Sequence, residues 1–269
     1  MSFLWLENAF QRAFAFTFSK KRFVITFATL FLSGLFFLLF QFLAIKQKGF
    51  WLFSSYFFPY FISLFFVIPL GVLLCKSYAF EAQGKAFSWK KYLETSWEKL
   101  FISSLFAFPF MATFLVLWLF LGLFSLSQMT PFLESFVSSL LFFIPFISSF
   151  FICLLVILSV VFLFIAVPSY AFQERRKNFS LSFFLSSWKK SPLQSLLVAF
   201  FALVPMYILW ALWGSAKAFS YTVTSGELSV FALLVQGFIL NLFASFLLSI
   251  GVIFFFHMAV EAFSIRAKS

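Results

Sequence analysis

The sequence predicts an all-α polytopic membrane protein whose six transmembrane helices are built from repeated units, each an interfacial amphipathic helix followed by a transmembrane hairpin. Three observations carry that reading. The 269 residues are 64% hydrophobic and only 10% charged, with a mean hydropathy of +1.08, whereas a soluble domain holds about 25% charged and about 45–50% apolar residues. Six apolar runs are each long enough to supply the roughly 20 residues of helix that cross a bilayer. A twelve-residue motif also recurs further along the chain.

The apolar runs lie at residues 23–44, 51–75, 100–124, 145–167, 193–213 and 228–257. Strands are a poor fit, because membrane barrels alternate polar and apolar positions, while residues 31–40 (FLSGLFFLLF) are apolar on nearly every face. Inside hydrocarbon only a helix or a closed barrel satisfies its own backbone. The reading is therefore one transmembrane domain spanning residues 1–269.

Cations set the orientation. Arg12, Lys20, Lys21 and Arg22 precede the first run, and Lys76, Lys85, Lys90, Lys91 and Lys99 separate the second from the third. Arg175, Arg176, Lys177, Lys189 and Lys190 separate the fourth from the fifth, and Arg266 and Lys268 follow the sixth. The alternate loops hold only Lys46, Lys48 and Lys217 of the 19 cations. The positive-inside rule then places both termini in the cytoplasm, as expected for a multi-pass protein of a bacterial inner membrane. Tryptophan prefers the headgroup level, and its positions agree: Trp5, Trp89, Trp97 and Trp188 fall at inner ends of runs, Trp51, Trp118, Trp210 and Trp213 near outer ends. The N-terminus lacks the pattern of a cleaved signal peptide, since Glu7 and Arg12 precede the first long run and no A-x-A-like site follows a short one.

Residues 77–88 read SYAFEAQGKAFS and residues 169–180 read SYAFQERRKNFS, identical at seven of twelve positions. Self-similarity of this kind marks a repeated unit. After a one-residue gap, Ser96, Trp97 and Lys99 align with Ser187, Trp188 and Lys190. Each copy predicts a short amphipathic helix. In the first, Ser88 caps a helix with Trp89, Tyr92, Leu93, Trp97 and Leu100 on one face and Lys90, Lys91, Glu94 and Glu98 on the other, Lys90 and Glu94 forming an i,i+4 pair. In the second, Ser180 caps Leu181, Phe184, Leu185 and Trp188. Such helices are expected in the cytoplasmic interface, their aromatic face at the acyl boundary and their cations among anionic headgroups. The interface residues are thus Trp89, Lys90, Lys91, Trp97, Arg175, Arg176, Trp188, Lys189 and Lys190. Ser2 as cap of Phe3, Leu6 and Phe10, with Glu7, Asn8, Gln11 and Arg12 on the opposite face, suggests a third such helix at the N-terminus. The units would be residues 1–76, 77–168 and 169–269.

Residues 131–167 form an apolar stretch of about 55 Å as helix, far longer than a hydrocarbon core of about 30 Å. Thr130 as cap, Pro131 at the first helical position and Glu134 in the first turn predict a short outer helix, with a break at Pro145. Pro59 and Gly237 would mark milder breaks.

Little in the sequence points to chemistry. All eight acids are Glu, and none falls within an apolar run. The polar groups inside runs are Gln41, Gln236, Asn241 and serine pairs such as Ser103–Ser104 and Ser148–Ser149; interhelical hydrogen bonds are their expected use. Together with Ser54–Ser55 and Ser138–Ser139, these pairs offer small surfaces where helices can approach, in an interior otherwise filled by Phe rings. His257, the single histidine, has no Asp or Cys beside it and reads as structural or interfacial, and Cys75 and Cys153 read as small core residues. No phosphate loop, H-E-x-x-H or G-x-S-x-G is present, so no catalytic residue, metal or cofactor is expected. The net charge of +11 follows membrane topology rather than a nucleic-acid face, which would need a soluble surface for display.

The run Val167-Pro168-Ser169-Tyr170-Ala171-Phe172, the basic stretch after it, Phe179, and the Ser187–Trp188 pair resemble a pattern in several bacterial six-span membrane families. One is the membrane domain attached to some glycerophosphodiester phosphodiesterases. The resemblance covers about 25 residues and the copy near Ser77–Trp97, where Lys76 stands in place of the proline. It implies an architecture and no catalytic residues. The heavy use of Phe and Ser is similar to that of chlamydial membrane proteins. The expected role is a non-enzymatic accessory or scaffold that presents aromatic helices to the anionic inner leaflet, with a protein partner or a second copy of the chain as possible company. The alternative is a transporter or permease for a lipid-like or apolar solute, which requires a cavity near mid-membrane lined by Gln236, Asn241 and the serine pairs.

Overall fold

The computed structural model describes residues 3–44, 50–127, 143–172, 192–223 and 230–266. In order these form α1 (Phe3–Ala15), α2 (Lys20–Ala44), α3 (Phe50–Ala82), α4 (Trp89–Ser104), a 3-10 turn (Leu105–Ala107), α5 (Phe108–Ser127), α6 (Phe143–Phe172), α7 (Pro192–Val223) and α8 (Val230–Arg266). Among the described residues, six stretches are long and apolar enough to cross a membrane: Lys20–Leu43, Phe57–Ala82, Trp89–Phe120, Phe146–Phe172, Leu197–Ser215 and Ala232–Ser264. Large apolar side chains such as Phe108, Phe146, Phe200 and Leu123 are more than 60% exposed on the surface, which suits contact with acyl chains and would be an association hazard in water. The protein is a helical, multi-pass membrane protein.

Three helices make the centre. α3, α6 and α8 each pack against the other two, with Phe61, Ile68, Phe164, Phe254 and Phe256 buried among them. Gly71 allows a close approach, since a Cβ there would run into the Phe256 ring and Val167. Tyr60 and Ser159 hydrogen-bond across α3 and α6 at 2.9 Å. The remaining spans lie outside: α2 against α3 and α8, α5 against α3 and α6, α7 against α8 and α6. α1 rests on α8, and α4 on α3. Several hydroxyls along the spans return to their own helix, as Ser63 does to the Pro59 carbonyl at 2.8 Å and Thr29 to that of Ile25 at 2.9 Å, which meets their hydrogen bond locally. The buried hydroxyls of Thr26 and Ser33 on α2 have no partner among the described residues.

The helices differ from the apolar runs in instructive ways. No break occurs at Pro59 or Gly237: α3 continues through Pro59 and Pro69, and α8 through Gly237. Pro145 is the third residue of α6 as described. Thr130, Pro131 and Glu134 are outside the described residues. The central helices also outlast their hydrophobicity. α3 extends to Ala82, α6 to Phe172 and α8 to Arg266, so the first part of the repeated motif is helix and not a connecting segment. The cause is burial, since Ser77, Tyr78 and Ala171 are 0–1% exposed. The unit boundaries at 76/77 and 168/169 accordingly fall inside α3 and α6.

The amphipathic helix expected at 89–100 is α4. Lys90, Lys91, Glu94 and Glu98 are exposed, Trp89, Tyr92 and Leu93 are half-buried and Leu100 is buried. Ser88 takes the extended N-cap conformation, but its hydroxyl makes no capping bond, and Lys90 and Glu94 do not form an ion pair among the described residues. α4 passes into α5 through the 3-10 turn at Leu105–Ala107. In α1 the buried line is Ala9 and Ala13, both 0% exposed, while Phe10 is 39% exposed and packs edge-on against Phe254 with ring centroids 4.9 Å apart. The small side chains let α1 approach α8 closely. Arg175, Arg176, Trp188, Lys189 and Lys190 are outside the described residues.

Candidate functional site

A cavity of about 510 Å³ lies off the central axis, lined by α2, α3, α7 and α8, within the range of sites that take small molecules. On α2 its lining runs from Leu30 to Phe42 and on α8 from Leu233 to Leu248, about 18 Å and about 22 Å of helix. Gly34, near the middle of the 25-residue α2, is part of it. The cavity therefore reaches from mid-span towards the ends of α2 and α8 that lie away from the chain termini. Gln41, Gln236 and Asn241 all line it, joined by Ser33, Ser63 and Ser245. These are the three amide residues that the sequence singles out within the apolar runs, and the structure brings them to one space. Phe42, Trp210 and Leu233, at its rim, are 42%, 56% and 38% exposed.

The cavity's shape follows from two close crossings of α2 and α8. A Cβ on Gly34 would occupy the place of the Asn241 carboxamide, and one on Gly237 would lie 2.8 Å from a Leu38 methyl. Asn241 donates from Nδ2 to the Phe31 carbonyl at 3.2 Å, and its Oδ1 accepts from Ser245 at 3.5 Å. On the other flank, Trp213 Nε1 donates to the Leu240 carbonyl at 3.3 Å. Glycines thus set the crossings that shape the cavity; the serine pairs named from the sequence are not among its described lining residues, and of them Ser103 and Ser148 are buried elsewhere.

A second polar feature occupies the end near the termini. Arg22, at the start of α2, is 0% exposed and pairs with Glu81 of α3. Its Nε donates to Ser77 Oγ at 3.1 Å and its Nη1 to the Phe16 carbonyl at 2.7 Å. Tyr78 donates to Glu261 of α8, its ring stacks on His257 at 4.4 Å, and His257 Nδ1 is 3.3 Å from the Ala13 carbonyl. The cluster ties the α1–α2 bend, α3 and α8 together. Leu248, the last cavity residue on α8, is about 14 Å along that helix from His257, so the two features are separate.

On the sequence alone Arg22, Glu81 and Glu261 belong to cytoplasmic segments and His257 is structural or interfacial. Two signals pointed elsewhere. Glu81 and Glu261 each follow a buried polar residue, Ser77 and His257, by four positions, which places them on one helix face. Ala79, Glu81 and Ala82 also recur as Ala259, Glu261 and Ala262. The second copy of the motif acts differently: Tyr170 donates to the Lys99 carbonyl at 3.1 Å, Lys99 Nζ donates to the Ala171 carbonyl at 3.3 Å, and Lys76 sits 5.2 Å above the Phe172 ring. Among the described residues no three His, Cys, Asp or Glu side chains converge on a space suited to a metal ion. No protein-family model, curated protein or solved structure matches the chain.

Proposed function

We propose that this six-span protein of a bacterial inner membrane, both termini cytoplasmic, takes a lipid-like solute from the bilayer into the cavity between α2, α3, α7 and α8 and does not transform it. One observation carries the reading: the polar residues of the apolar runs, Gln41, Gln236 and Asn241, gather around a space that reaches mid-span. Interhelical bonding alone accounts for Asn241; it does not account for a cavity. The transport or permease reading is therefore favoured over a purely structural one. Native mass spectrometry of the protein released from nanodiscs of native lipid tests it. A small lipid retained by the unsubstituted chain and lost from Ala244→Trp, whose ring fills the lumen, is the expected result. Equal retention by both, or retention by neither, contradicts it.

An accessory role has its own support in α4, where Trp97 is 68% exposed beside the exposed Lys90 and Lys91. That combination suits an inner-leaflet contact, and a defined oligomer or bound protein in the same spectra favours it. The three-unit origin is supported by the packing order, in which each of α2, α5 and α7 lies against two of the three central helices.

A further inference from the structure

The kind of solute follows from what lines the cavity, and this inference rests on the reading that the cavity holds a lipid-like molecule. Among the described residues, no Lys, Arg, His or Glu lines it. The charges of the polar cluster lie beyond the cavity's mid-span end and are engaged with one another, Arg22 with Glu81 and Glu261 with Tyr78. An ionised head placed among Gln41, Gln236 and Asn241 would therefore be desolvated with no counter-charge among the described lining residues, a heavily unfavourable state in a low-dielectric interior.

The neutral polar groups are differently committed. Asn241 spends its amide on Phe31 and Ser245. Gln41 and Gln236 make no hydrogen bond among the described residues, and the Ser33 hydroxyl, on a side chain 5% exposed, likewise has no partner there. Each glutamine carboxamide offers two donor hydrogens and a carbonyl acceptor. At these depths such groups gain much from a partner that both donates and accepts. Along α8, Gln236 lies about 7 Å from the level of Asn241, towards the end away from the termini. The remaining wall, including Leu30, Phe37, Val67, Leu240 and Leu248, is apolar. We infer that the cavity selects an uncharged amphiphile whose head carries hydroxyl or amide groups, held by Gln41 and Gln236 with its chain against the apolar wall, and discriminates against lipids with an ionised head.

The test compares photoreactive probes of one chain length on the full protein in nanodiscs: a monoacylglycerol, and the matching fatty acid and lysophosphatidylglycerol, with labelled peptides mapped by mass spectrometry. The monoacylglycerol should label α2 and α8 lining peptides about tenfold more than either charged probe, the scale of one buried hydrogen-bonding mismatch. Unlabelled monoacylglycerol should compete. The Gln41→Leu, Gln236→Leu double variant should bring that ratio close to unity while the protein stays monodisperse. Charged probes labelling as well as the neutral one, or an unchanged ratio in the double variant, would overturn the inference and leave the lipid-binding reading standing. If no probe labels lining peptides, the binding reading itself falls. The ratio on the unsubstituted chain decides the matter even where the double variant does not fold.

Discussion

The Tyr78 hydroxyl donates a 2.5 Å hydrogen bond to Glu261 Oε1 across 183 positions of sequence, joining the ends of α3 and α8 just where both helices outrun their hydrophobic stretches. Glu261 is 8% exposed and Tyr78 1%, so neither group has water as an alternative partner. Tyr78→Phe removes the donor and leaves a buried carboxylate short of one bond. The expected cost is about 1.5–3 kcal/mol, read as a lowered midpoint in detergent or urea unfolding. Glu261→Gln keeps an acceptor and should cost less. Equal stability of Tyr78→Phe and the unsubstituted chain would mean that this bond does not hold the helix ends.

Arg22 and Glu81 should behave as a coupled pair. Glu81→Ala leaves the buried Arg22 guanidinium with only Ser77 and the Phe16 carbonyl among the described residues; with Glu81 itself 31% exposed, the expected cost is about 1.5–3 kcal/mol. Arg22→Met combined with Glu81→Gln removes both charges and should recover part of that loss. A double-mutant cycle with additive effects would show the two side chains to be independent.

The crossing of α2 and α8 depends on the missing side chain at Gly34. Gly34→Ala pushes a methyl into the Asn241 carboxamide and should break its bond to Phe31, destabilising by about 1–3 kcal/mol and reducing lipid retention. Gly214 in α7 is the control, because a Cβ there meets nothing within 4 Å. Gly214→Ala should be neutral or stabilising by up to about 1 kcal/mol. Similar losses at both positions would argue against a specific contact at Gly34.

Cysteine labelling tests the orientation. Single cysteines at Lys85 and Lys177, in a background lacking Cys75 and Cys153, should react with a membrane-impermeant maleimide only after permeabilisation. Cysteines at Lys48 and Lys217 should react in intact cells. Labelling of Lys85 and Lys177 from opposite sides would dismantle the topology and the unit scheme with it.

The six spans were legible because length and hydropathy decide them: a 20-residue apolar run in hydrocarbon has few other choices. The cavity residues Gln41, Gln236 and Asn241 were legible as exceptions within those runs. Their convergence was not, since it depends on Gly34 and Gly237 drawing α2 and α8 together, a contact between segments some 200 residues apart in sequence. The polar cluster was missed for a different reason. Hydropathy ends a helix where charge begins, and cation counting treats Arg22 as a loop residue. Yet Arg22, Glu81, Tyr78 and Glu261 satisfy one another and so stay inside the packed helices. The same mutual satisfaction carries α3 through Ser77 and Tyr78 to Ala82.

An experimental structure in nanodiscs of native lipid most directly asks whether the space between α2 and α8 is a binding site. The expected result is elongated density beside Gln236 and Asn241 that ends at the level of Gln41. A space closed by interdigitated Leu38, Leu240 and Leu248 side chains, with no density beyond protein, would contradict it.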